Sequence, residues 1–143
     1  MDTQIFAQAY AKFYENLSKD STKEDYGVFF DKHSEFEDPF QKLKGLDAIH
    51  NIFVDMYKKL HNPHFIIDEV ISDGEVAYIR WDFKYALSSK AKEESFRGLT
   101  RVTFTASAKV KTHIDYWDAG KNVYEKIPVL GFFIRLIKRK LHA

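Results

Sequence analysis

The sequence predicts an α+β domain with its helices on one face of an antiparallel sheet. Two observations carry this. Apolar residues recur at helical spacing up to about residue 60, and strict alternation takes over from about residue 65. The four alternating segments are separated by gaps of hairpin length. The chain has no internal repeat and no Gly- or Ser-rich linker, so its 143 residues form one domain. Residues 3–120 are expected to be the fold proper, and residues 121–143 an extension.

The first helix spans about residues 3–18, with Ile5, Phe6, Ala9, Tyr10, Phe13, Tyr14 and Leu17 at helical spacing behind Asp2 or Thr3 as N-cap. SKDSTKED then reads as a polar break, and Tyr26 to Phe30 as a short second helix. In HSEFEDPF the alternation and Pro39 predict a short strand or extended arm. The third helix covers about residues 47–60, with a stripe of Ile49, Ile52, Phe53, Met56, Tyr57 and Leu60, and His61-Asn62-Pro63 ends it. Strands follow at Phe65–Ile71, Val76–Leu87, Glu94–Phe104 and Lys109–Trp117, broken at Asp73-Gly74, Ser88-Ser89-Lys90 and Ala106-Ser107. Pro128 opens a C-terminal amphipathic helix that ends in Lys138, Arg139 and Lys140, cations that suit the last turn of a helix.

Composition narrows the function. Net charge is +1, so no global field favours nucleic acid. Cysteine is absent, which excludes disulfides, thiolate metal sites and cysteine nucleophiles. His33, His50, His61 and His64 are scattered without metal-ligand spacing, so neither a metal nor another cofactor is expected. Aromatic residues make up 16 %, a content suited to a core or to the wall of an apolar pocket. Neither a signal peptide nor a membrane-spanning run is evident, so the expected setting is cytoplasmic.

KVKTHIDYWD, from Lys109 to Asp118, is the segment richest in chemistry. Alternation puts His113, Asp115 and Trp117 on one strand face. A carboxylate beside an indole is costly to bury unless something pairs with it. That face is therefore either ordinary surface or the lining of a cavity. Arg80 and Asp82 likewise share one face of YIRWDFKYAL. They form an outward ion pair worth ~0–1 kcal/mol if Trp81 and Phe83 point inward, and line a pocket if they do not.

The element order, the FEDPF segment and the HIDYWD strand together resemble the SnoaL-like branch of the nuclear transport factor 2-like superfamily. The resemblance implies a cone-shaped curved antiparallel sheet wrapped on three N-terminal helices, with a pocket at the open end. It also implies a hydrophobic or cyclic small-molecule ligand, a homodimer, and acid/base chemistry of the epoxide-hydrolase, cyclase or isomerase type. In limonene epoxide hydrolases an Asp-Arg-Asp set does the work, and Asp82, Arg80 and Asp115 stand in the matching places as acid, bridge and base. Polyketide cyclases need an acid/base Asp and a shaped apolar pocket, a demand that His113, Asp115 and Asp38 meet. In ketosteroid isomerases the base falls on Asp38, with a tyrosine donor near Phe13 or Tyr14. The candidate catalytic residues are thus Asp115, Asp82, Arg80, Asp38 and His113. Trp117, Phe36, Tyr14, Phe13, Phe53 and Tyr57 are the candidate ligand contacts. Asp38 has a structural rival role, since Asp before Pro often turns the chain.

The alternative reading is a non-catalytic binding or accessory protein. The C-terminal helix bears on it, with three destinations for its apolar stripe: the sheet, a second copy, or weakly an anionic membrane through residues 128–142.

Overall fold

Side-chain caps set the first two helices of the computed structural model, which describes residues 2–123 and 128–142, the side chains of 128–130 excepted. Helix α1 (Thr3–Asn16) starts where the Asp2 carboxylate accepts the Ile5 N–H at 3.1 Å. Its buried face holds Thr3, Ala7, Tyr10, Ala11 and Tyr14, whereas Ile5 is 60 % exposed. The expected stripe is thus turned. The small Ala7 and Ala11 let the helix backbone lie close to the sheet, and that approach outweighs the burial of one isoleucine. Helix α2 (Lys23–Gly27) begins inside the segment expected to be a polar break. A reciprocal cap explains the shift: Thr22 Oγ1 accepts the Asp25 N–H, and Asp25 Oδ2 accepts the Thr22 N–H at 2.7 Å.

Strands β1 (Glu35–Asp38) and β2 (Gln41–Lys44) form a hairpin, of which the second strand was not foreseen. Gly45, at φ 95°, turns the chain into helix α3 (Leu46–Lys59). Strand β3 (His61–Asp73) follows at once. The His61-Asn62-Pro63 stop therefore also starts the strand, with Asn62 at φ 49° and a register shift between His61 and His64. Strands β4 (Val76–Ala86), β5 (Glu94–Phe104) and β6 (Val110–Tyr116) lie where alternation predicted them. A single turn, α4 (Ala119–Asn122), and helix α5 (Pro128–Leu141) complete the described chain. Residues 124–127 and 143 of the extension lie outside the described residues.

The six strands run in the order β2-β1-β6-β5-β4-β3. Neighbours are antiparallel except β1 and β6, which pair in parallel, Phe36 opposite His113. Register shifts in β3 and between Thr103 and Phe104 bend the sheet, and α1 lies across β3, β4 and β5 on its concave side. This is the curved sheet wrapped on three helices that the sequence led us to expect.

Alternation decides which side chains enter the core. Ala77, Ile79, Trp81, Phe83 and Tyr85 of β4 point inward, as do Thr100, Val102 and Phe104 of β5. Two polar ties hold the start of β6, one of them the Val110 N–H donated to the Phe29 carbonyl at 2.7 Å. Fully buried Ser34 donates its hydroxyl to the Val110 carbonyl at 2.7 Å and accepts the Asp31 N–H at 3.0 Å. Ser34→Ala is expected to cost about 1–3 kcal/mol, because it leaves that carbonyl buried and unpaired. Urea unfolding checks this, with the midpoint falling at unchanged slope.

The described part of the α5 stripe does not cover the sheet: Phe132, Phe133, Leu136, Ile137 and Leu141 are all exposed. For these five residues, packing on the sheet, one of the three expected destinations, is not what the chain adopts.

Candidate functional site

Cross-strand register assembles the site. Thr100 of β5 lies opposite Ile79 on one side and Asp115 on the other, and Val102 lies opposite Ala77 and His113. His113 and Asp115 are two apart on β6, so both face the concave side. The His113 side chain is 1 % exposed and that of Asp115 15 %.

A continuous chain of hydrogen bonds runs through these groups. Trp81 Nε1–H donates to Thr100 Oγ1 at 2.8 Å, and the Thr100 hydroxyl donates to Asp115 Oδ1 at 2.5 Å. His113 Nε2 stands 2.7 Å from the same oxygen. The other ring nitrogen, Nδ1, is 2.8 Å from the Tyr10 hydroxyl, which is 3.2 Å from that of Tyr14. With a neutral imidazole the order that satisfies every partner is this: Tyr14 donates to Tyr10, Tyr10 donates to Nδ1, and Nε2–H donates to the carboxylate. Burial pushes the Tyr10 and Tyr14 phenols well above their ordinary pKa, with Asp115 adding a smaller push, so both keep their protons. The imidazole is clamped by rings as well, stacked on Phe36 at 4.5 Å and on Tyr14 at 5.6 Å. Two donors thus converge on Asp115 Oδ1, which lowers the cost of holding a carboxylate in an apolar surround.

The second oxygen, Oδ2, has no hydrogen-bond partner among the described residues. Asp115 borders two spaces. The inner one, between Tyr10, Tyr14, Trp81, Thr100 and His113, measures about 10 Å³, room for about one water. The outer one is a cleft of about 530 Å³ lined by Glu37, Asp38, Pro39, Ile114, Asp115, Tyr116 and Trp117. It opens where β1 and β6 part beyond the Glu37–Ile114 pair. Trp117 forms an aromatic wall there, stacked on Phe96 at 4.6 Å and edge-on to Phe40 at 5.2 Å.

Several expected site residues lie elsewhere. Trp81 and Phe83 are buried, which turns Arg80 and Asp82 to the convex side. Arg80 Nε there pairs with Asp68 at 3.4 Å, and Asp82 with Arg97 Nε at 3.6 Å. The Asp82-Arg80-Asp115 set therefore does not converge, because burying the indole and phenyl of β4 outweighs burying two charges. Asp38 does line the cleft, but its oxygens are engaged in a turn. Its carboxylate accepts the backbone N–H of Phe40 and Gln41 and the Gln41 side-chain amide, so it holds the β1–β2 turn and is not offered as a base. Of the candidate ligand contacts, Trp117 lines the cleft and Tyr14 the inner space. Phe36 backs the imidazole. Phe13 and Phe53 are spent on core packing against Tyr26 and Tyr14. Tyr57 borders neither space, and its buried hydroxyl lacks a partner among the described residues, with burial raising the phenol to about 12. Among the described residues no cluster of His, Asp and Glu has the geometry to hold a metal ion.

Sequence reasoning missed Tyr10 as a site residue and Thr100 as the partner of Asp115. Tyr10 sat in the α1 stripe as an ordinary core residue. Tyr10→Phe is expected to release Nδ1 and mix the His113 tautomers, at a cost of about 1–3 kcal/mol. Nitrogen-15 shifts of the imidazole read this directly, and a ring that keeps its single tautomer in the variant would contradict the hydrogen-bond order given above.

A family profile, the SnoaL-like domain, matches residues 10–113. Solved structures share the fold at low identity. A candidate isomerase of the SnoaL-like family from Agrobacterium tumefaciens strain C58 is 14 % identical, with a TM-score of 0.65 over 82 % of this chain and 99 % of its own. A candidate SnoaL-like polyketide cyclase from Shewanella denitrificans is 16 % identical, with a TM-score of 0.64 over 81 % and 90 %. A hypothetical protein with a ketosteroid isomerase-like fold from Catenulispora acidiphila, solved with trimethylamine, is 12 % identical, with a TM-score of 0.68 over 82 % and 88 %. Among curated proteins none matches the chain.

Proposed function

Since the chain belongs to the SnoaL-like domain family, we propose that it binds a small hydrophobic or cyclic carbonyl compound in the cleft beside Trp117 and moves a proton on it through Asp115. The observation that carries this reading is the asymmetry of the Asp115 carboxylate. Oδ1 is held by Thr100 and His113, while Oδ2 has no partner and the residue borders the cleft. A carboxylate so held is a general base with one oxygen oriented and the other open to substrate. Asp115 Oδ2 takes a proton from carbon next to the carbonyl and returns it elsewhere on the same molecule, as isomerisation and cyclisation both require. Thr100 and His113 keep the carboxylate in place through the cycle. Tyr10 holds the imidazole, and Trp117 supplies an apolar face for the ligand. The hydrolase arm of the expectation is dropped, since it needed Arg80 and Asp82 in the pocket. We also read the protein as a homodimer joined through the convex sheet face, a reading supported by the exposure there of Ile71, Tyr78, Leu99 and Tyr116.

The test is a panel of enolisable cyclic ketones and polyketide-like esters, followed by proton exchange into deuterated water. Wild-type exchange that Asp115→Asn removes supports the reading. Exchange equal in the two proteins overturns it. Ligand binding without exchange in wild type assigns the protein to the non-catalytic binders.

A further inference from the structure

None of the described side chains of helix α5 lines the site described above, and the helix surface has an unusual distribution of charge. At 100° per residue, Phe132, Leu136, Phe133, Ile137 and Leu141 fall on an arc about 180° wide, and all five are exposed. Ile134, at one edge of that arc, is the side turned to the body: a Cβ at Gly120 would lie 4.0 Å from its Cγ2. Arg135, Lys138 and Arg139 occupy the opposite arc, and no Asp or Glu occurs between Pro128 and Leu141. Lys140 breaks the division. It stands between Leu136 and Phe133, in the middle of the apolar arc.

We propose that α5 is an interfacial helix that lays its Phe132-to-Leu141 face on an anionic lipid surface. Lys140 decides between the two chemistries that could cover the arc. A second copy of α5 would bury Lys140 with no carboxylate in either helix to pair it, and an unpaired buried charge is strongly destabilising. At a lipid surface the same side chain runs its methylenes along the acyl boundary and lifts its ammonium to the headgroups. Arg139, which borders the apolar arc beside Phe132, then meets lipid phosphate as well, and each such cation raises the partition about fivefold. The length agrees. Fourteen residues span about 21 Å, short of the ~30 Å hydrocarbon core, so the helix lies along the interface. No described helix is long and apolar enough to cross a membrane. One such helix supports weak, reversible attachment. This inference is independent of the reading of the Asp115 site.

The experiment is vesicle flotation of the full chain, comparing phosphatidylcholine alone with phosphatidylcholine carrying about 30 % phosphatidylglycerol. We expect binding to the anionic vesicles only, lost in about 0.5 M salt. Arg139→Glu with Lys140→Glu, and separately Phe133→Ser with Ile137→Ser, should each lower the bound fraction more than about tenfold. Thermal melts of both variants should match wild type, since none of these side chains enters the core. Three results would overturn the proposal: no binding to anionic vesicles, equal binding to neutral ones, or self-association in light scattering that Phe133→Ser with Ile137→Ser dissolves. The last would make a second copy the occupant.

Discussion

Asp115→Asn is expected to slow proton exchange on a responsive substrate by about 10²–10⁴-fold, the usual contribution of a positioned general base. The substitution keeps the shape of the side chain. An asparagine carbonyl can still accept from Thr100 and His113, whose donors stand 2.5 and 2.7 Å from Oδ1. The loss of charge weakens both bonds, so a stability change of about 1–2 kcal/mol should accompany the kinetic one. The ratio of the two effects is the informative quantity. A residue that serves only the fold would lose activity in step with stability. A base loses activity by orders of magnitude while the protein still melts cooperatively. With the ligand resting on Trp117, as proposed, the change should fall on kcat. A fall confined to KM would assign Asp115 to binding, and an unchanged kcat would remove it from the chemistry.

Gly98→Ala is expected to damage the same site from outside it. Gly98 lies directly opposite Trp81 across the β4–β5 pair, and the indole covers its backbone. A Cβ at Gly98 would sit 2.2 Å from Trp81 Cη2 and 2.4 Å from Cζ2, well inside contact distance. The ring has no easy retreat, being packed against Phe65 at 5.4 Å and Phe96 at 6.1 Å. Moving it breaks the Nε1–H bond to Thr100, the hydroxyl that holds Asp115. Overpacking and the lost hydrogen bond together should cost about 3 kcal/mol or more, and the midpoint of unfolding should fall by about 10 °C. Trp81 emission should shift to the red as the indole gains water. Trp81→Leu in the same background makes room for the methyl group and should recover most of the loss in melting temperature. A Gly98→Ala protein with wild-type melting and emission would contradict the packing described.

Much of the architecture was legible because each signal was local. Helical spacing up to residue 60 and alternation beyond it need no knowledge of distant partners, and they located α1, α3 and the four long strands. Misses arose where a distant or reciprocal contact intervened. The start of α2 depends on the Thr22–Asp25 cap, which sits in a stretch whose composition reads as loop. The partner of Asp115 depends on a bulge. Counting back from the Ala106-Ser107 break pairs Thr100 with His113, whereas the loop sets Phe104 against Val110, one residue further on, and the shift at Thr103/Phe104 adds a second, which sets Thr100 against Asp115. The slip is two residues, so the face is kept and only the neighbour changes. For β4 the alternation leaves two faces to choose from, Trp81 and Phe83 or Arg80 and Asp82, and the desolvation cost of two charges decides between them in the folded chain.

Residues along the chain were enough to establish that His113, Asp115 and Trp117 share one strand face, since alternation follows from the geometry of extended backbone. They could not establish what that face looks upon. The sheet has two sides, and α1 settles between them by bringing Ala7 and Ala11 close to the strands and the Tyr10 hydroxyl up to the His113 ring. Asp38 illustrates the same division. Its position before Pro39 was plain, but its availability depended on whether three amide hydrogens reached its carboxylate, and they do. Period is a property of neighbours in sequence, whereas solvation and hydrogen-bond partners belong to groups that only the folded chain brings together.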